Sequence, residues 1–328
     1  MPARARLAGQ GIEVHAIVPR GKDQRATESE EGVQIHSFPL SKYLGIGEII
    51  SNIDADIYHS QDPTPGTVIA MRAKPDSKHI MTCQNPKTKE DWKKVNRFYP
   101  FRRRVYNSLI EPLVSKKINE LDQVFCQCRY IGDKADKCYG LGYEPDFLPN
   151  PVSMLNDTKK EEEAKVCFLG RFDGERKPER FFELAEKLPE VSFVAAGRSH
   201  DISRDKQLRE KHQTHNLSLP GHLSGREKDQ LLESSWILVN TSVSECLPVS
   251  FLEAASAGCA ILSPHDPDGF ASSFGYQVNE DYVEGIQWLL EGDRWRMKGK
   301  SGRAYVKRHH EYNTVVNQHI QMYRELLG

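Results

Sequence analysis

Short apolar runs, each followed by a polar loop and a stretch of helical period, recur along the chain. They are clearest in its second half, at residues 165–169, 191–196, 217–221, 236–239 and 259–262. Near-continuous apolar runs bounded by turn residues read as strands of a parallel sheet buried on both faces. The intervening stretches read as helices. Pro178 opens one with Phe181, Phe182, Ala185 and Leu188 as its apolar stripe, and residues 226–234 form another. Pro248 is placed at the first position of a third and Gly258 just past its end, where each residue type is favoured. A last short strand is expected over residues 272–278, then helices over 281–290, 295–309 and 313–326, the final one amphipathic with Val315, Val316, His319, Ile320, Tyr323 and Leu326 on one side.

The first half alternates less cleanly. Residues 1–10 read as the end of a helix, Gly11 as its stop and residues 12–18 as the first strand. Further strands are expected at 33–38, 56–59, 78–82 and 123–127, with helices at 43–53, 109–118 and 131–139. A Rossmann-like unit opens with an apolar strand and a glycine-containing turn. Neither precedes the phrase ARLAGQGIEVHAIVP, so the chain is expected to start inside such a unit. Residues 147–154, stiffened by Pro149 and Pro151, read as a crossing between domains.

Composition narrows the function classes. A 328-residue chain with net charge −1 and pI near 6.9 has no whole-chain pull toward nucleic acid or acidic membranes, and no nucleic-acid partner is expected. No apolar run is long enough to span a membrane and no signal peptide opens the chain, so the expected compartment is the cytoplasm. Seven scattered cysteines suit free thiols; Cys126 and Cys128 alternate along a strand as buried residues, a zinc site being the alternative. Asp54 and Asp56 read as strand-entry aspartates, with a metal-binding Asp-x-Asp as the alternative.

Three stretches carry candidate chemistry. In LVNTSVSECLPVSFLEAASAGCAILS (238–263), Glu245 lies in the loop before a helix and Glu253 about two turns into it. Taken alone, Glu245 is a charge favoured near a helix N-terminus. In GRFDGERKPERFF (170–182), Arg171 and Lys177 flank a strand-to-helix turn, and cations beside a helix start can hold an anion; surface salt bridging is the bland reading. The loop His59–Ser60–Gln61–Asp62–Pro63 falls at a strand's C-terminal end, where open α/β sheets place ligands, while His59 is expected on the other face, packed within the domain. A fourth stretch, residues 93–106, interleaves Lys93, Lys94, Arg97 and Arg102 to Arg104 with aromatics. It reads as a solvated helix entry and a loop over the cleft, with contact at a membrane surface as the alternative.

The order Ser244, Glu245, Pro248, Glu253, Ala254, Gly258 resembles the nucleotide-sugar site of the retaining glycosyltransferases of family 4. Seven residues separate the two glutamates, and Ala, a small residue and Gly follow before a strand. The resemblance implies an α/β GT-B fold: two Rossmann-like domains facing a cleft, the first strand of the N-terminal domain missing here. The implied division is residues 1–150 for the acceptor domain, 151–310 for the donor domain, and 311–328 for a helix crossing back. It also implies that Arg171 and Lys177 hold the donor diphosphate after Gly170, and that Gly197 turns toward the donor. Leu219 and His222 would stand at the nucleobase rim, and Cys246, Leu247, Pro248 and Val249 would present backbone to sugar and phosphate. Glu245 would take the sugar hydroxyls and Glu253 the ribose hydroxyls, with Gln61 and Asp62 on the acceptor side. Two positions depart from the family pattern: Cys246 replaces a usual Gly, and Gln61 a usual His.

The expected function is transfer of a hexose, with retention, from a UDP- or GDP-sugar to a glycan, lipid-linked or small-molecule acceptor. No metal or other cofactor is implied, and contact with the inner membrane face through residues 93–106 stays open. The alternative is a catalytically impaired GT-B protein that binds a nucleotide sugar or a partner. A dinucleotide oxidoreductase would need a G-x-G-x-x-G turn after a strand, which the chain lacks. Nor do two glutamates so close in sequence make the facing pair of a glycoside hydrolase.

Overall fold

Alternation of apolar runs with helical stretches produces two groups of strands along the chain, parallel but for the strand at 27–30, which runs antiparallel to its neighbour. The computed structural model describes residue 7 and residues 10–21, 24–155 and 159–328; the helix expected over 1–10 lies largely outside them. The N-terminal half carries β1 (Val14–Pro19), β2 (Thr27–Glu30), β3 (Val33–Phe38), β4 (Ile57–Gln61), β5 (Lys78–Cys83), β6 (Gln123–Cys126) and β7 (Asp146–Phe147). They form two sheets among the described residues, β1-β3-β2 and β4-β5-β6-β7. The C-terminal half carries β8 (Lys165–Leu169), β9 (Ser192–Ala196), β10 (Leu217–Gly221), β11 (Ile237–Val239), β12 (Ala260–Ser263) and β13 (Gly275–Gln277) in one six-stranded parallel sheet, order β10-β9-β8-β11-β12-β13.

Helices cover both faces of this second sheet. Pro178–Lys187 buries Phe182 against Phe172 and Phe181 against Phe193, the rings meeting edge-on. Val249–Ser256 buries Phe251, Leu252, Ala254 and Ala255. A shared apolar core joins the two halves, with Cys83, Cys126, Cys128 and Ile131 from one and Cys246, Leu247, Phe251 and Phe270 from the other. All seven cysteines are free. The closing helix, Tyr312–Leu327, lies on the N-terminal half: Met322 packs with Ile80, Phe125 and Leu148, and Val316 and Ile320 with Leu7.

Several elements differ from the sequence reading. Pro248 caps its helix from outside, with ψ 141°, instead of occupying the first turn. Its fixed φ suits either position. The strand expected over 272–278 is a helix, Phe270–Phe274, followed by β13, because Phe270 and Phe274 pack against Tyr305. The helix expected over 43–53 begins as a 3-10 turn, Leu40–Gly45, before Ile46–Ser51, glycines at 45 and 47 weakening it. Residues 101–115 are helical throughout, with a π-turn at Tyr106–Ile110 just before Pro112. Proline lacks the N–H and crowds the preceding turn, so the backbone widens there.

Candidate functional site

The C-terminal ends of β8, β9 and β11 converge, and the loops leaving β8 and β11 bond directly to each other. The fully buried Thr241 donates its hydroxyl to the carbonyls of Arg176 (2.7 Å) and Lys177 (2.9 Å), and the Val243 amide donates to the Glu175 carbonyl at 2.9 Å. Beneath them, a Cβ at Gly197 would overlap the Gly170 carbonyl oxygen, so β8 and β9 approach this closely only with glycine at 197. Lys177 adopts a left-handed conformation (φ 51°) as it enters the helix Pro178–Lys187. That strain on a residue with a Cβ is held by the loop's bonds to Thr241.

Charges fill this junction. Arg176 forms an ion pair with Glu245 and donates to Ser242 Oγ at 3.3 Å. The Glu245 side chain is only 6% exposed, so it needs the partner. Burial lowers the Arg176 pKa. Arg171 pairs with Asp173 at 3.0 Å. Lys177 Nζ reaches over the Phe98 ring, 5.2 Å from its centroid, and lies 3.6 Å from Glu179. Glu253, on the helix Val249–Ser256, pairs with Lys228 at 2.5 Å.

Two loops of the N-terminal half face this junction. Tyr99 donates its hydroxyl to Glu175 at 2.7 Å; burial, and after it this bond, pushes its pKa up to about 12. Phe98 lies so close to Gly174 that a Cβ there would come within 2.8 Å of its ring. Lys87 is drawn to Glu175 and to Cys246, but burial is the larger influence and lowers its pKa. Cys246 is buried, donates to Asn85 Oδ1 at 3.2 Å, and has its pKa pushed up to about 11, chiefly by burial.

Gln61 and Asp62, the pair expected on the acceptor side, are likewise engaged. Asp62, with φ 60°, accepts from the amides of Gln84 (2.6 Å) and Asn85 (3.2 Å), so its carboxylate shapes that turn. Burial is the largest influence on it and raises its pKa despite these bonds. Gln61 is exposed and accepts from Gln84 Nε2 at 3.0 Å. His59 lies on the same face as Gln61, 3.5 Å from it, not on the opposite one as expected. Residues two apart on a strand share a side. The ring also meets Thr82 Oγ1 (2.7 Å) and the Tyr323 hydroxyl (2.8 Å) of the closing helix.

At the C-terminal ends of β9 and β10, Arg209 donates to the carbonyls of Leu219 (2.8 Å) and Gly197 (3.1 Å) and pairs with Asp205 at 2.7 Å. A cavity of about 410 Å³ opens there, lined by Arg198, Ser199, Asp205, Arg209 and Gly221 among others, with His222 exposed in the adjoining loop. The structure thus brings Gly170, Arg171, Gly197 and Glu245 to one junction. Pro248 and the exposed Val249 stand at the start of the neighbouring helix. Leu247 and Cys246 point instead into the shared core. The sequence reading passed over Arg176, Lys87 and Arg209, while Tyr99 lay in the 93–106 stretch read as a loop over the cleft. Of the three, only Arg176 carried a signal, being a cation one residue from Lys177.

Comparison with known proteins bears on both halves. Residues 4–154 match the family described as Glycosyltransferase Family 4, and residues 154–299 match Glycosyl transferases group 1. The chain belongs to this glycosyltransferase family. Its fold matches sucrose-phosphate synthase from Thermosynechococcus elongatus with a TM-score of 0.77, at 15% identity over 99% of this chain and 92% of that one. Anabaena HepE in complex with UDP-glucose gives 0.68, at 11% identity over 90% and 87%. A glycosyltransferase from Rickettsia africae gives 0.67, at 15% identity over 99% and 93%. These are GT-B structures, and the two strand groups here are its two Rossmann-like units. In sequence, 82 residues are 30% identical to a component of the human phosphatidylinositol N-acetylglucosaminyltransferase, a match that spans a quarter of this chain and 17% of that relative's length.

Proposed function

We propose that this member of the glycosyltransferase family transfers a hexose, with retention, from a nucleoside-diphosphate sugar to a glycan, lipid-linked or small-molecule acceptor. The observation that carries this reading is the junction of the loops after β8 and β11, where Arg176 meets Glu245 beside Arg171. Its position at the carboxyl ends of neighbouring parallel strands is where open α/β sheets take ligands. The diphosphate lies along the 170–177 loop, held by Arg171, Lys177 and Arg176, and the glycines at 170 and 197 let it approach backbone. Stabilising the leaving diphosphate as the sugar carbon becomes positive is the main catalytic demand, and one fixed donor is worth about 3 kcal/mol in comparable sites.

In this reading the departing phosphate oxygen takes the acceptor proton, so neither glutamate has to move one. Glu245 accepts hydroxyls of the sugar, and Glu253 those of the ribose. The cavity lined by Arg198 and Gly221 takes the base. UDP is favoured over GDP by the neighbour that holds UDP-glucose. No metal enters the scheme. The domain division stays at about residue 150, and the protein works in the cytoplasm, with peripheral contact at the inner membrane face as the alternative.

A panel of UDP- and GDP-sugars tests this by thermal shift and by hydrolysis. Donor at about 100 times its dissociation constant should stabilise the fold by roughly 2.7 kcal/mol, and Arg171→Ala, Arg176→Ala and Glu253→Ala should each abolish the shift. No shift with any donor sinks the reading. A second reading, a nucleotide-sugar binding protein without turnover, is favoured by Gln61 in place of a proton-carrying residue. Donor binding without hydrolysis or transfer to any acceptor would select it.

A further inference from the structure

The cations of the 170–177 loop each have a carboxylate beside them. Arg171 pairs with Asp173 at 3.0 Å, Arg176 with Glu245, and Lys177 lies 3.6 Å from Glu179. In the N-terminal half, Lys134 pairs with Asp91 at 2.7 Å. Lys87, which faces the same junction, is different. It pairs with no carboxylate among the described residues. Its ammonium donates to the neutral Asn85 Oδ1 at 3.2 Å and lies 5.8 Å from the centre of the Trp92 ring. Glu175 attracts it from the other half, but that carboxylate is held by the Tyr99 hydroxyl.

Lysine carries a compact, strongly hydrated charge. Half-buried without a counterion, Lys87 loses water and gains little in return, and burial accordingly lowers its pKa. It also stands where the two halves meet. The loop that carries it leaves β5 at the same end of the sheet as Gln61 and Asp62, and Asp62 shapes the turn just before it through the amides of Gln84 and Asn85. On the other side, Asn85 Oδ1 accepts the thiol of Cys246 at 3.2 Å, next to Glu245 in the loop after β11. The ammonium is thus two hydrogen bonds from the loop assigned to the donor sugar, on its acceptor side.

We propose that Lys87 binds an oxyanion, phosphate or carboxylate, carried by the acceptor close to the hydroxyl that is glycosylated. The acceptor then brings the counterion that the chain withholds, and a neutral sugar or alcohol leaves the ammonium unpaired. An anion fixed at Lys87 limits where the rest of a small acceptor can lie, which turns its hydroxyl toward the sugar carbon. The leaving diphosphate is the poorer occupant, because Arg171, Arg176 and Lys177 already line its loop. The inference rests on the transfer reading above for the place of the acceptor, and narrows that acceptor to an anionic molecule.

Three compounds of one skeleton, glycerol 3-phosphate, glycerate and glycerol, decide it by thermal shift at matched ionic strength, with UDP or GDP saturating. The nucleotide alone reads the donor assignment, and the added shift reads this one. Glycerol 3-phosphate or glycerate should raise Tm beyond the nucleotide, and glycerol should not. Whichever anion acts more strongly names the phosphate or the carboxylate. Lys87→Gln should weaken that anion by about tenfold or more, while Lys87→Arg keeps most of the binding and the nucleotide shift is the same in both. Should Lys87→Gln not fold, Lys87→Met takes its place. A Lys87 that only supports Asn85 would lower Tm on substitution and leave the anion's added shift unchanged, which overturns the proposal. So does the lack of any anion shift, and so does an anion shift that vanishes when nucleotide is bound, since Lys87 then serves the diphosphate. If neither nucleotide gives a shift, the donor reading fails. The anions are then read on Arg171→Ala without nucleotide, where loss of their shift with Lys87→Gln supports the proposal and its persistence overturns it.

Discussion

The two halves use the same β-helix alternation but differ in how completely their sheets are joined. In the C-terminal half β8 has a hydrogen-bonded neighbour on each side and buries its three middle residues. In the N-terminal half β1 and β4 each end a separate sheet, and β4 buries none of its five residues fully. A strand with two neighbours has its backbone polar groups satisfied and both faces covered, whereas an edge strand leaves one row of groups to solvent. Strand β8, which leads into the 170–177 loop, is therefore the stiffer frame, and β4, which leads into Gln61 and Asp62, the softer one, although β5 beside it is as well buried as β8.

The largest test of this contrast is a core truncation in each half. Phe181→Ala, at a fully buried ring, should cost about 4 kcal/mol. Ile17→Ala on β1, only half-buried, should cost about 1 kcal/mol by urea denaturation. Equal costs would erase the distinction. Next, Gly197→Ala should cost about 3 kcal/mol or more, because its Cβ meets the backbone of Gly170. Gly47→Ala meets only the Ile69 side chain, at 3.3 Å, and gains helix propensity, so its urea midpoint should hardly move.

Beyond the softer strand, Asp62→Ala leaves the Gln84 and Asn85 amides without their acceptor and should cost about 2 kcal/mol. The smallest effect is one of pH. Asp91, in a capping box with Thr88, is pushed up by burial but held below the ordinary carboxylate value by Lys134 at 2.7 Å and by Thr88. A lowered folded pKa gives stability that is present above the unfolded pKa and lost as pH falls through the folded one. Asp62 has the opposite sign: its raised pKa makes its contribution best in acid and weaker as pH rises from the unfolded value through the folded one. Asp91→Asn should therefore flatten the acid side of a stability-pH curve by less than about 1 kcal/mol, the pair being partly solvated. An acid limb unchanged in that variant would remove Asp91 from the account.

Legibility followed the same division. Strand β8 matches the sequence reading residue for residue, and the helix Pro178–Lys187 starts at the expected proline and stops just before Leu188, because an unbroken apolar run and a helix-opening proline are local signals. The helix Phe270–Phe274 could not be read that way, since its conformation answers to Tyr305, some thirty residues on. At the candidate site the glutamate pair and Arg171 were visible from spacing. Arg176 was hidden because adjacent Lys177 is equally basic, and only the left-handed turn at Lys177 sends the two side chains to different neighbours.

The sequence alone determined the alternation that makes two Rossmann-like units, the glycines on which close strand approach depends, and the local excess of cations at 93–106. These follow from periodicity, side-chain size and charge, which need no knowledge of distant contacts. Tertiary structure decided which cation meets Glu245, that Phe98 and Tyr99 reach the loop at 174–177, and that Phe101, Leu109 and Leu113 stay exposed. Each of these depends on groups far apart in the chain being brought together, or kept apart, by packing.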